Sequence, residues 1–482
     1  MLHSFWFGEA IKEFNRVLAT DPRCAMAYWG IALSNWGFRG QIAATRAGAA
    51  AIGKAEALAA ALPTAREQDY IAAAALLYKD FERVNPRARI TAYEQAMAEL
   101  TRKYPEDREA VLFHALAILD TVVPTDKTYA ARLRAGALLE KEYAAEPDHA
   151  GTAHYIIHAY DVPALAARAL TAARHYATLA PDIPHPLHMP SHVFTRLGYW
   201  EESIDSNLRS AEAARREGPQ GTGERLHALD YAMYAYLQTA QDRAAYRIVR
   251  TLPTIARATG PAAHHGPANA FAAAAIPARY ALERHAWTEA TKLTLNASDM
   301  PQADAMTHFA RALGFARTAQ PARAREEIDR IGALRDALNA RRDMYWSELV
   351  DIQRIAATAW ATFAEGRGTE AVNLLRSAAD REDATEKAAT TPGPLMPARE
   401  LLADLLLESK RAADALREYE ATLASEPNRF RSVAGAARAA QLAGASAKAR
   451  QYVEQLVAMC GKSDRLGRQE LQEARRIVAN PR

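Results

Sequence analysis

The sequence predicts an all-α chain, a solenoid of repeated helix–turn–helix blocks, and three observations carry that prediction. Similar blocks recur at a spacing of 34 residues, alanine dominates a hydrophobic fraction of 49%, and prolines stand where helices have to stop. Alanine is the strongest helix former, and its small side chain lets helices cross closely. With 24% charged residues the composition is globular, and no Gly/Ser-rich or highly charged linker interrupts it. A single continuous array over 1–482 is therefore expected.

In chain order, Phe7, Ala10 and Phe14 mark a helix closed by Asp21-Pro22, and Tyr28, Ile31 and Ala32 open the following one. The clearest block begins at Ala150. Its first helix ends near Tyr160, its second carries Ala169, Ala173 and Tyr176, and Pro181 closes it. The next block carries Ser191 and Phe194 on its first helix, the turn Leu197-Gly198-Tyr199-Trp200, then Ser203, Asn207 and Ser210 on its second. Ala415, Tyr419 and Pro427 mark a late block, and Val433, Ala437 and Ala440 the last. Roughly eleven helix pairs fit, with lengthened loops near Thr121–Thr125, Gly218–Gly223 and Pro261–Pro267. Pro392-Gly393-Pro394-Leu395 reads as the turn leading into the following helix.

The two ends differ. Residues 464–482 read as a charged capping helix. Residues 1–22 read as an incomplete repeat, because Phe7, Ala10, Phe14 and Pro22 match a second helix without its first. An exposed apolar edge is expected there. So is a natural chain that begins upstream, cytoplasmic as given, periplasmic or secreted if a targeting segment precedes it.

Composition narrows the functional classes. Sixty basic and 57 acidic residues give a net charge of +3, which argues against a nucleic-acid polyanion as partner. Cys24 and Cys460 stand at opposite ends of the chain, too few for a cysteine zinc ribbon and placed against a disulfide. No run of 18 apolar residues offers a membrane span. There is no phosphate-binding glycine loop, no Gly-x-Ser-x-Gly elbow and no dinucleotide fingerprint.

The 34-residue period, with small residues at the helix crossings, resembles the tetratricopeptide repeat over nearly the whole chain. That resemblance implies a right-handed α-solenoid. It further implies that first-helix positions two, five, nine, twelve and thirteen face a concave groove that contacts peptides. The blocks His154-Tyr155-Ile156-Ile157-His158-Ala159-Tyr160-Asp161 and His188–Gly198 resemble a group of bacterial tetratricopeptide proteins, which brings a fold and no activity.

On that frame the histidines fall in register over the central repeats, 150–258. His154 and His158 occupy positions five and nine counted from Ala150, and His188 and His192 the same positions counted from Pro184. His185 and His227 are second in their blocks, and His114 sits near a fifth position. Each i,i+4 pair shares one helix face. Neighbouring helices lie about 8–10 Å apart, so equivalent side chains can converge on one ion. Several imidazoles favour a transition metal (Zn, Cu or Fe) over Ca or Mg. Histidines that merely hydrogen-bond and pack are the competing explanation.

The prolines at 186 and 190 predict a helix starting near Leu187 or later, which leaves His185 on a loop aimed toward the site or away from it. His154-Tyr-Ile-Ile-His158 has zincin ligand spacing but lacks the glutamate after the first histidine. Any acid–base chemistry must then come from Asp161, Asp230 or Tyr234, positions twelve, five and nine of their blocks. Asp161, just before Val162-Pro163, reads equally well as a turn residue. His264-His265-Gly266 reads as a solvated loop. Two functions follow: a multi-histidine transition-metal site on the concave face, with or without catalysis on a small-molecule substrate, or a non-catalytic scaffold for a peptide or protein partner in the groove.

Overall fold

A computed structural model describes residues 1–37, 45–60, 64–259, 267–465 and 467–480, so the His264-His265-Gly266 loop lies outside the described residues. The described residues contain helices and no strand. Local chemistry sets several helix starts. Thr64 caps the helix Ala65–Ala75, accepting from the Glu67 amide at 3.4 Å and donating to its carboxylate at 2.9 Å. Asn85 caps a helix whose first residue is Pro86, where a missing N–H costs nothing. Asp107 and Asp343 cap two more.

The chain packs as two compact units, one of Met1–Asp161 with Leu165–Pro190, the other of Val162–Ala164 with Ser191–Arg482. In the first unit consecutive helices pack on one another: Phe7–Thr20 on Ala25–Trp36, and Arg108–Asp120 on Ala130–Ala145, which meets Ala150–Tyr160. Alternate helices touch as well, Arg108–Asp120 reaching Ala150–Tyr160. Neighbours plus next-but-one neighbours is the contact pattern of stacked helix pairs, as the 34-residue period requires. Aromatic rings fill the crossings where glycine omits a side chain. A Cβ on Gly30 would lie 2.2 Å from Phe14, and one on Gly136 would lie 2.2 Å from the Tyr160 hydroxyl. The N-terminal helix leaves Val17 exposed while Phe14 is drawn into its partner.

The second unit repeats the scheme through Pro301–Arg317, Met344–Ala364, Ala398–Glu408 and Phe430–Leu442, each of which touches the next in that series. Here the array departs from a nearest-neighbour solenoid, because its late repeats return to its early ones. Phe430–Leu442 packs on Thr222–Gln238, the Trp200 indole donates to the Asn428 carbonyl at 2.8 Å, and Arg468 pairs with Asp242 at 2.7 Å. The loop expected at Gly218–Gly223 is mostly a tight helical turn, Gly218–Gly221, leading straight into Thr222–Gln238. The helix within 464–482 is Gln469–Ala479. Cys24 and Cys460 are free thiols. No described helix is long and apolar enough to cross a membrane.

Candidate metal centre

Helix Ala150–Tyr160 is buried at every residue from Gly151 onward. Its 3.6-residue turn sets His154 and His158 one above the other, with ring centroids 4.7 Å apart and Nε2 atoms 3.0 Å apart. The helix end is held by Arg132, whose guanidinium donates to the carbonyls of His158 at 2.8 Å and Ala159 at 3.2 Å. A cation there satisfies orphan carbonyls and complements the helix dipole. Asp161 follows as the buried C-cap residue.

The third nitrogen comes from His185. The helix does not wait for Leu187: Pro184–His188 forms a single helical turn, followed by the helix Pro190–Leu197. Pro184 and Pro186 both lie in the first turn, where their missing N–H groups would be unpaired anyway. This earlier start carries His185 inward, and its Nε2 stands 3.1 Å from that of His154. The three histidines offer ligand nitrogens that all lie within 4.8 Å of one another.

Neighbouring groups hold His154 firmly. Its Nδ1–H donates to the His3 backbone carbonyl at 2.6 Å, leaving the proton-free lone pair on Nε2. Tyr176 stacks on its ring at 5.1 Å and 8°. Burial keeps the Tyr176 and Tyr155 hydroxyls protonated far above the ordinary tyrosine range. Phe5 covers the group, its centroid 4.5 Å from His154, 5.4 Å from His158 and 5.6 Å from His185. Phe5 has φ +52°, a left-handed conformation that a bulky residue adopts only when its surroundings impose it. Sequence reasoning missed His3, Phe5, Arg132 and Tyr176. Of these only Tyr176 had a signal, as a repeat-packing position.

The other predicted residues have different surroundings. His188 is fully buried at the end of the turn Pro184–His188. In the second unit His192 is buried, 5.0 Å from the Tyr231 ring and 6.3 Å from the half-buried His227. His114 approaches Glu94 at 3.4 Å, and burial pushes its pKa down despite that carboxylate. Asp230 is buried against Arg279 at 2.9 Å, and burial raises its pKa against the pull of that cation. Arg279 also donates to the carbonyls of Gly393 and Pro394 at 2.8 and 2.9 Å, so the Pro392–Leu395 segment forms the wall of an ion pair. The Tyr234 hydroxyl donates to Glu426 and receives from Arg429, each at 3.0 Å. Burial holds its proton far above the usual range. Asp230 and Tyr234 are thus built into a network of arginines and carboxylates.

No protein-family model matches the chain, and no curated protein matches it either. Among solved structures it is similar to the human IFIT1 dimer with m7Gppp-AAAA, at 11% identity over 98% of this chain and 95% of that one, with a TM-score of 0.38. The human IFIT1 dimer with PPP-AAAA matches at 12% identity over 94% of each chain, TM-score 0.39. The APC/C hetero-tetramer Cut9–Hcn1 matches at 10% identity over 97% of this chain and 93% of that one, TM-score 0.32. The stacked helix pairs of the two units carry the tetratricopeptide-like fold.

Proposed function

We propose that the first unit binds one transition-metal ion through the Nε2 atoms of His154, His158 and His185, an ion of the zinc, copper or iron class. The observation that carries this is the crowding at His154 Nε2. With its proton on Nδ1, that atom has a single lone pair, yet two further Nε2 atoms approach it at 3.0 and 3.1 Å. One lone pair cannot accept two well-directed N–H donors. An ion at about 2.0–2.1 Å from each nitrogen uses all three lone pairs at once, and its ligand edges span about 2.9–3.4 Å between right-angled and tetrahedral geometry.

Three neutral imidazoles suit a borderline divalent ion, and a three-ligand protein site leaves a position for water or substrate. Such an ion lowers the pKa of bound water and polarises a carbonyl or phosphoryl oxygen. Phe5 and Tyr176 supply the apolar wall, and the His3 carbonyl fixes the tautomer.

Elemental analysis of protein purified without chelator tests the reading. One equivalent of a transition metal is expected in the wild type and loss of that equivalent in His158→Ala. Sub-stoichiometric metal in both samples overturns it. Capture of a peptide or protein partner that survives chelation and multiple His→Ala changes would then favour the scaffold function.

A further inference from the structure

A second group of metal-ligating side chains lies in the same unit and owes nothing to the repeat register. His3, on the N-terminal turn Leu2–Ser4, places Nε2 2.9 Å from Glu109 Oε2. Glu109 stands in the first turn of helix Arg108–Asp120. His149, the residue before helix Ala150–Tyr160, places its Nε2 3.2 Å from the other Glu109 oxygen. One ligand atom from each residue lies within 4.8 Å of the others. The His3 and His149 rings meet edge to face with centroids 5.1 Å apart.

The approach of His3 is built into the helix. A Cβ on Gly151 would fall 2.7 Å from His3 Nδ1, so only glycine leaves room for the imidazole. The Tyr155 hydroxyl lies 2.9 Å from the same Nδ1. It is positioned to accept the Nδ1–H and leave Nε2 as the metal-facing atom, the outer-shell contact that ligating histidines carry. On its far side the ring is stacked on Phe113 at 5.1 Å. The three side chains are 22%, 41% and 24% exposed. Water therefore reaches this group, whereas His154 is fully buried.

We infer that His3, Glu109 and His149 form a second, solvent-open site for a divalent metal ion, with two imidazoles and one carboxylate as donors. This donor set, with its remaining positions open to solvent, suits Fe(II), Mn(II) and Zn(II). The carboxylate oxygen admits a harder ion than the all-nitrogen group does. The inference does not depend on occupancy of the His154 group, although His3 serves both: its side chain is a ligand in one and its carbonyl orients His154 in the other.

The test is titration of metal-free full-length protein with Mn(II), followed by the loss of the free-ion electron paramagnetic resonance signal. It is run on the wild type, Glu109→Gln, His149→Ala and His158→Ala, with helical content checked by circular dichroism. His3 is left in place so that its carbonyl stays on His154. The expected result is a Mn(II) equivalent weakened ~100-fold or more by Glu109→Gln and by His149→Ala, and kept in His158→Ala. Unaltered Mn(II) binding in both Glu109→Gln and His149→Ala overturns the second site and leaves the His154 reading standing. Retained Mn(II) binding in a His158→Ala variant that never lost a metal equivalent on purification sinks the first reading and keeps the second. An absence of Mn(II) binding in the wild type overturns the second site.

Discussion

The first unit buries His154 and His158 with ring nitrogens turned toward one another, whereas the second buries Asp230, Glu283 and Glu400 against Arg279 and Arg429. Both arrangements take polar groups out of water, and they settle the cost differently. Arg429 lies 2.7 Å from Glu283, donates to Glu400 at 2.8 and 2.9 Å and meets the Tyr234 hydroxyl at 3.0 Å. Opposite charges face one another within that network, one guanidinium serving two carboxylates at Arg429, and it joins the helix Ala398–Glu408 to the segment before Phe430. In the imidazole group two Nε2 atoms stand 3.0 and 3.1 Å from that of His154, and the mutually close ligand atoms are all nitrogen. The arginine network sets cations against carboxylates, whereas the imidazole group brings only ring nitrogens together. On this comparison Asp230 and Tyr234, read from the sequence as acid–base candidates, have the surroundings of structural groups.

The sharpest way to break the contrast is Arg429→Met. It leaves Glu283 and Glu400 buried without their cation, and a loss of about 3–5 kcal/mol is expected in denaturant unfolding, localised to the second unit by hydrogen exchange. A loss below ~1 kcal/mol would mean that the network does not hold the late repeats to the early ones. Next in size is the effect of metal. Zinc at about 100 times its dissociation constant should stabilise the first unit by about 2.7 kcal/mol and slow exchange in helix Ala150–Tyr160. Amides of the second unit's Thr222–Gln238 should be unchanged, and equal protection there would erase the distinction.

A smaller effect belongs to pH. Burial pushes the Glu382 carboxyl up to about 8 from an ordinary 4.5, although it accepts from the Ala398 amide at 2.7 Å. Between those values the folded chain holds a proton that the unfolded chain releases. The stabilisation is complete below the lower pKa, declines as pH rises through the window, and is lost above the upper one. Glu382→Gln should flatten this slope and gain about 1–2 kcal/mol near pH 8. Parallel pH profiles for variant and wild type would remove Glu382 as the cause. Smallest is Phe5→Ala, which opens the apolar cover of the imidazole group. Metal release to a chelator is expected to quicken by about tenfold. A rate equal to that of the wild type would show that Phe5 does not gate the ion.

Much of the fold was legible because it is local. The 34-residue period, the prolines and the alanine-rich faces are properties of short segments, and the helices Ala150–Tyr160, Trp200–Arg216, Ala412–Ser425 and Phe430–Leu442 fall where those signals put them. The closure of the second unit was not legible, because contacts between residues some 190 to 230 apart, such as Tyr234 with Arg429 and Trp200 with Asn428, leave no mark on periodicity. At the imidazole group the same divide appears within a few residues. Register singled out His154 and His158. It ranked His188 and His192 beside them, and left open whether His185 points in, a matter decided by two prolines accommodated in one short turn.

Sequence alone determined that helical repeats form and that His154 and His158 share a helix face, since both follow from 3.6 residues per turn and intrinsic propensity. Tertiary structure decided which third nitrogen joins them, that Phe5 covers them, and that His3 meets Glu109 and His149. Those outcomes depend on where segments up to 180 residues apart come to rest against each other, a distance set by packing rather than by any local pattern.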